Sequence, residues 1–169
     1  MTLRSIQPQP CTDSNCCAQH APAERVALVV SLCGARGVRL TARRRQVLEL
    51  LWESGRPMGA YEVIEVLKRR DSRPVAPPTV YRALEFLMSQ GFVSKIESRN
   101  AYVPCAHPER RHDCIFFICG DCGASVELED QRVEQLLAED AANRLGFRVT
   151  RRVVEVEGTC RSCIAAGPA

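Results

Sequence analysis

Ile118 to Ala124 reads ICGDCGA and Gly158 to Cys163 reads GTCRSC, so Cys119, Cys122, Cys160 and Cys163 form two Cys-x-x-Cys pairs. The two-residue spacing lets both sulfurs of a pair reach one ion across a tight turn. Two pairs supply the closed tetrahedral sulfur shell that zinc accepts without redox change. The other reading is four buried or redox-active thiols, although a thioredoxin-like exchange site needs only one such pair. About 37 residues lie between the pairs, more than a simple zinc ribbon holds. Folded elements must therefore fill the interval, and a clamp here would tie the end of a domain to its beginning. Cys11, Cys16, Cys17, Cys33, Cys105 and Cys114 have no such partner spacing.

The elements that must position these residues are legible from periodicity. "CIFFIC" and "ASVELE" read as strands, the latter with Ala124, Val126 and Leu128 or their neighbours inward. "DQRVEQLLAEDAANRLG" reads as an amphipathic helix stopped at Gly146, and "FRVTRRVVEVEG" as a third strand. Upstream, "ERVALVVSLCGARG" places Val26, Val29, Val30 and Cys33 at helical spacing. "LTARRRQVLELLWESG" follows with Thr41 as N-cap, an inward stripe of Val47, Leu48, Leu50 and Leu51, and Gly55 as stop. A third helix spans about Ala60 to Arg70, with Val63, Ile64 and Leu67 as its apolar face. A fourth starts near Pro78, buries Val80, Leu84 and Leu87, and stops at Gly91. "FVSKIESRNAYVPC" alternates around an SRN turn, a hairpin signature. Helices followed by a hairpin predict an α+β chain: a winged helix-turn-helix over residues 23–104, with its wing at about 92–104, then a small α/β domain over 105–165. Residues 1–22, rich in Pro, Gln, Ser and Cys without apolar periodicity, read as a disordered tail. Cys16, Cys17 and His20 in it could bind metal. A flexible segment lacks the rigid surroundings that select an ion, which favours a dispensable extension.

Charge divides along the chain. Residues 24–100 hold 14 Lys/Arg against 8 Asp/Glu, whereas residues 101–169 hold 8 against 11. A basic half followed by an acidic one suggests a nucleic-acid-facing unit joined to a unit with another task, with a merely solvated basic face as the alternative. The sequence has no run of 18 or more apolar residues and no signal-peptide pattern at its start, so no membrane partner is expected and the chain reads as cytoplasmic. Ten cysteines in that setting stay reduced, which favours metal ligation or buried thiols over a disulfide framework. Neither a Ser/His/Asp set nor a His-Glu-x-x-His motif is present. A thiol oxidoreductase or zinc hydrolase is thus a remote alternative, and the chain is read as no enzyme.

The segments "PPTVYRALEFLMSQGFVSKIES", "CAHPERRHDCIFFICGDCGASVELE" and "GTCRSC" resemble the ferric uptake regulator family, and most of all its zinc uptake regulator branch, over roughly residues 24–163. The resemblance implies a homodimer that binds a palindromic, A·T-rich DNA operator when a regulatory zinc is in place, mainly to repress zinc uptake genes. It implies about two Zn²⁺ per subunit. Iron sensors of the family usually carry a His-His-Asp-His-like run before the first Cys-x-x-Cys. Here "RRHDC" matches only at His112 and Asp113, and Cys105 stands at the wing's end as in zinc regulators. The implied regulatory ligands are Cys105, His112 and Glu127, and the fourth position falls on Ser94, a poor zinc ligand. Water or Glu97, His107, Asp113 or Cys114 could complete the set, although His107 and His112 could equally be solvated and Cys114 a core residue. Mixed sulfur, nitrogen and oxygen ligands make a more reversible site than four thiolates. A member sensing another metal or peroxide is the nearer alternative.

For DNA, the fourth helix would enter the major groove with Thr79, Tyr81 and Arg82 at its exposed start. Arg82 suits a bidentate contact with guanine. The resemblance adds Tyr61, at the start of the preceding helix. Arg43, Arg44 and Arg45 would neutralise phosphates or serve as a soluble helix surface.

Overall fold

A computed structural model describes residues 22–71, 74–109, 115–128, 130–137, 142–149 and 152–167. Four helices come first: α1 (Pro22–Ala35), α2 (Ala42–Ser54), α3 (Ala60–Arg70) and α4 (Pro77–Ser89). Thr41 takes the N-cap position of α2 with extended backbone but makes no side-chain cap bond, and Gly55 ends that helix in the left-handed region at φ 62°. Val26, Val29, Val47, Leu48, Leu51, Val63, Ile64, Leu67, Val80, Leu84 and Leu87 close into one core. Burial of each such side chain contributes about 1.5–3 kcal/mol, so this bundle carries enough apolar packing to hold α4 outward as a rigid unit. Val30, expected in the inward stripe of α1, is 45% exposed. It sits one residue past Val29, at 100° around the helix, and only Val29 faces the bundle.

The hairpin is β2 (Val93–Ile96) and β3 (Ala101–Pro104), antiparallel with Val93 opposite Pro104 and Ile96 opposite Ala101. A two-residue strand, β1 (Met58–Gly59), pairs with the far side of β3. Sequence periodicity gave no sign of it, because two residues cannot display a period of two. Together these elements are the winged helix-turn-helix that the pattern predicted.

The second unit is a three-stranded sheet in the order β5 (Ser125–Leu128), β4 (Ile115–Cys119), β6 (Val154–Gly158). β5 runs antiparallel to β4, and β6 parallel to it. The expected long helix is represented by α5 (Gln131–Gln135) and α6 (Ala142–Leu145), and a short α7 (Arg161–Ala166) follows β6. Asp130 caps α5, accepting from the backbone N–H of Arg132. The third predicted strand is shorter than its periodic run, starting at Val154.

The two sheets meet face to face. Ile96 and Val103 of the wing pack with Phe116 and Ile118 of β4 in a small core of their own. Around it, polar contacts fasten the wing. Glu155 accepts the backbone N–H groups of Glu97 (2.6 Å) and Ser98 (3.1 Å), and Arg99 pairs with Glu157 at 2.8 Å.

Candidate metal centres and nucleic-acid face

The first Cys-x-x-Cys is the end of β4 and the turn after it. Gly123 N–H donates to the Cys119 carbonyl (3.0 Å) and Cys119 N–H to the Ala124 carbonyl (2.8 Å). Gly123 has φ +73°, so the turn needs a residue that enters the left-handed region without strain. The second pair straddles the start of α7, with Cys160 at its N-cap. A bond from Gly120 N–H to the Gly158 carbonyl (2.9 Å) locks one turn against the other. All four sulfurs lie within 4.8 Å of one another. Cys119 Sγ is 3.9 Å from Cys163 Sγ, and Cys122 Sγ is 3.7 Å from Cys160 Sγ. Four sulfurs bound tetrahedrally to zinc would stand about 3.8 Å apart, and a disulfide would bring two of them to about 2.05 Å. The spacing therefore fits a metal cage and not a pair of disulfides.

The electrostatics agree with that chemistry. The backbone N–H of Cys122 and then that of Cys160 aim at Cys119 and pull its thiol down to about 6. Cys163, hydrogen-bonded to Cys160 and Cys122, is pushed up. At Cys122 the Ala124 N–H lowers the thiol, but contacts with Cys119 and Cys160 leave it raised. One thiolate forms readily in this cluster and its neighbours resist ionisation. A divalent cation is what would let all four deprotonate together.

The second candidate set lies where the wing meets the sheet. Cys105 follows β3, is buried, and donates its backbone N–H to the Phe92 carbonyl at 3.0 Å. Glu127 reaches it from β5: its Oε1 is 4.0 Å from Cys105 Sγ, and its Oε2 accepts the Ala106 N–H at 3.5 Å. A thiolate and a carboxylate on one tetrahedral zinc would be separated by about 3.6 Å, so a small closure puts both on the same ion. His107 Nδ1 faces Glu109 at 3.3 Å, and Glu97 pairs with Lys95 at 2.6 Å. Ser94 sits opposite Val103 within the wing. His112, Asp113 and Cys114 lie outside the described residues.

At the start of α4, Pro77 and Pro78 occupy the first helical positions, where no N–H is required. Thr79, Tyr81 and Arg82 lie on its exposed side, while Val80 is fully buried. Tyr61 is 76% exposed, and its hydroxyl meets that of Tyr81. Burial, followed by the Tyr61 neighbour, raises the Tyr81 phenol above its ordinary value. The arginines of α2 are engaged within the protein. Arg43 pairs with Asp71 at 2.5 Å, Arg44 lies 3.4 Å over the Phe86 ring and donates to the Arg39 carbonyl, and Arg45 pairs with Glu49 at 2.8 Å.

Two features escaped the sequence reading. Arg36 bonds the carbonyls of Gln90 (2.6 Å) and Pro108 (2.8 Å) over the Phe92 ring, joining the end of α4 to the loop after the wing. Glu155 and Glu157 hold the wing turn. Their alternation in "VEVEG" signalled a shared face of a strand, but nothing in the spacing named the wing as their partner.

A sequence profile described as the ferric uptake regulator family matches residues 35–157. The zinc uptake regulation protein of Escherichia coli (strain K12) is 41% identical over 143 residues, spanning 83% of this chain and 82% of that protein. Among solved structures, a zinc uptake regulator complexed with zinc and DNA is 36% identical, covers 88% of this chain and 98% of its own, and superposes with a TM-score of 0.82. Holo XcZur, 45% identical and covering 86% and 99%, superposes at 0.78. Its apo form, 43% identical and covering 85% and 97%, superposes at 0.50.

Proposed function

The chain belongs to the ferric uptake regulator family, and on that footing we propose that it is a zinc-responsive DNA-binding transcriptional regulator, mainly a repressor of zinc uptake genes. It is a regulator and not an enzyme. The observation that carries the sensing role is the approach of Cys105 Sγ to Glu127 Oε1 across the wing–sheet junction. Cys105 directly follows the last strand of the DNA-reading half and is tied back to it through Phe92, and Glu127 lies within the half that holds the sulfur cage. An ion bound by both must favour one arrangement of the two halves. A soft thiolate in the set favours zinc over iron or manganese, the competing reading within the family.

The division of labour is as follows. Residues 23–104 form the reading head, and residues 105–165 the metal-binding and dimerising unit. Cys119, Cys122, Cys160 and Cys163 hold a structural zinc. Cys105, Glu127 and His112 hold the regulatory one, with the fourth ligand drawn from Ser94, Glu97, His107, Asp113, Cys114 or water, which makes two zinc ions per subunit. A homodimer is supported by the row Val126, Phe117 and Val156, adjacent across the three strands and all more than a third exposed on the face away from the wing. Such an apolar row favours a second protein surface over water. Two subunits would present two α4 helices to a palindromic operator, with Tyr61, Thr79, Tyr81 and Arg82 nearest the bases. Of Arg43, Arg44 and Arg45, the exposed Arg45 is the one placed to face phosphate, since Arg43 is paired with Asp71 and Arg44 is stacked on Phe86. No helix among the described residues is long and apolar enough to cross a membrane, in keeping with a role on cytoplasmic DNA.

The likeness to the zinc- and DNA-bound relative and to holo XcZur, set against the lower likeness to apo XcZur, favours a metal-linked arrangement. Binding to a palindromic A·T-rich duplex, followed by fluorescence anisotropy with the cage loaded, tests the proposal. Zinc at the second site should tighten binding by about 5- to 150-fold, and equal affinity with and without it would refute sensing.

A further inference from the structure

The sheet places three side chains in one row across its strands. Phe116 of β4 is opposite Glu127 of β5 and opposite Glu155 of β6. Neighbouring strands in register carry paired residues on the same face, and the contacts identify it as the face turned to the wing. Glu127 meets Cys105 and Ala106 where the wing leaves the head. Phe116 packs with Ile96 and Val103 in the middle of the wing. Glu155 takes the Glu97 and Ser98 N–H groups at its turn. The next row repeats the arrangement, with Ile118 in the same apolar cluster and Glu157 on Arg99. The wing is thus held along its length, with a metal ligand at one end and a carboxylate at the other.

We infer that Glu155 is a positioning residue for DNA binding, a latch that seats the wing turn on the metal-binding sheet and is thermodynamically linked to the regulatory zinc through their shared row. The inference deepens the zinc-sensing reading and rests on it. The turn supplies the reason for a carboxylate. Asn100 sits at φ 47° there, and the chain reverses so that two successive N–H groups point outward together. One carboxylate answers both, with an oxygen for each and charge assistance for the pair. A glutamine offers one oxygen and turns an N–H₂ toward the second donor. Glu155 is also fixed to the cage: β6 ends at Gly158, whose carbonyl holds Gly120 beside Cys119, and Cys160 follows two residues later. Rigid placement of β6 by the cage therefore sets where the wing turn can rest. Linkage is reciprocal: whatever the seated wing contributes to zinc affinity at Cys105 and Glu127, zinc returns to the seating of the wing.

The test uses full-length dimer with the cage loaded, comparing the wild type with Glu155→Gln. Zinc affinity of the second site is read by competition with a chromophoric chelator, operator affinity by anisotropy, and exchange of the Glu97 and Ser98 amides by hydrogen–deuterium measurement. The variant is expected to keep its cage zinc and its melting temperature. It should lose about five- to tenfold in second-site zinc affinity, and zinc-dependent operator affinity should fall by a comparable factor. The two amides should exchange faster. Wild-type values for zinc and operator in the variant would overturn the latch. Should the variant lose its cage zinc, the wild type alone decides: filling the second site must slow exchange at Glu97 and Ser98, and no change there overturns the inference. A wild type that itself ignores second-site zinc would instead remove the sensing reading beneath it.

Discussion

The two candidate metal sites differ in where their ligands come from. All four cage sulfurs belong to one unit, presented by two turns that are hydrogen-bonded to each other. Cys105 stands at the junction itself, with its N–H held by Phe92 where the wing begins, and Glu127 lies on the sheet beyond it. A cage whose ligands are held together by their own fold has its geometry set beforehand, and filling it changes little outside. A site split across a junction is completed only when the junction closes, so ion binding is spent partly on holding two bodies together. This lowers its affinity and makes it informative. Permanence and sensing follow from the same chemistry placed differently.

That contrast can be broken most severely at the cage. Cys160→Ala should leave the sheet unit without its zinc and destabilise it by several kcal/mol, because structural zinc binding is folding free energy. Both metals and all operator binding should go together, as read by metal analysis and anisotropy. A variant that kept the second zinc without the first would show the sites to be independent. Cys105→Ala should be milder and selective. One zinc per chain is retained, the sheet unit melts as in the wild type, and the roughly 5- to 150-fold tightening of operator binding by zinc is abolished. Retention of two zinc ions by this variant would exclude Cys105 from the site.

Glu127→Gln should be milder still, weakening the second zinc by about tenfold or more, since an amide oxygen is a poorer ligand than a carboxylate. Smallest is a difference in proton release. Loading the cage at pH 7 should expel protons from the thiols other than Cys119, with those of Cys122 and Cys163 held up. Cys119, at about 6, is already mostly ionised. The sign is that of competition: as pH falls through 6, protons take Cys119 as well, and cage affinity drops more steeply than that of a site with a single thiol. Calorimetry in buffers of different ionisation enthalpy gives the proton count for each site, and equal counts would contradict the assignment.

The cage was the most legible feature because its information is local: two cysteines two residues apart announce a turn around an ion whatever the fold. The helix ends were legible for the same reason, through Gly55 and Pro77–Pro78. The pairing of Cys105 with Glu127 rested on resemblance alone, since they are 22 residues apart and neither carries a spacing signal. Long-range polar contacts were not legible at all. Glu155 reaches Glu97 across 58 positions, and Arg36 reaches Pro108 across 72. Arg43 and Arg44 show the converse: read as a run, three arginines suggest phosphate, but Asp71 and Phe86 have been folded against two of them. Charge in a sequence says what is available, and only packing says what is already engaged.

The parallel pairing of β6 with β4 has a bearing on biosynthesis. Every element of the winged helix, from α1 to β3, has been synthesised by Pro104. β4 must wait for a partner strand some forty residues further on before its sulfurs can be capped. During that interval the nascent polypeptide carries a reading head whose wing has no sheet to rest on. Premature termination after the wing would release a head that lacks both the sulfur cage and the apolar row of the sheet, and such a fragment would hold a palindromic operator weakly and without response to zinc.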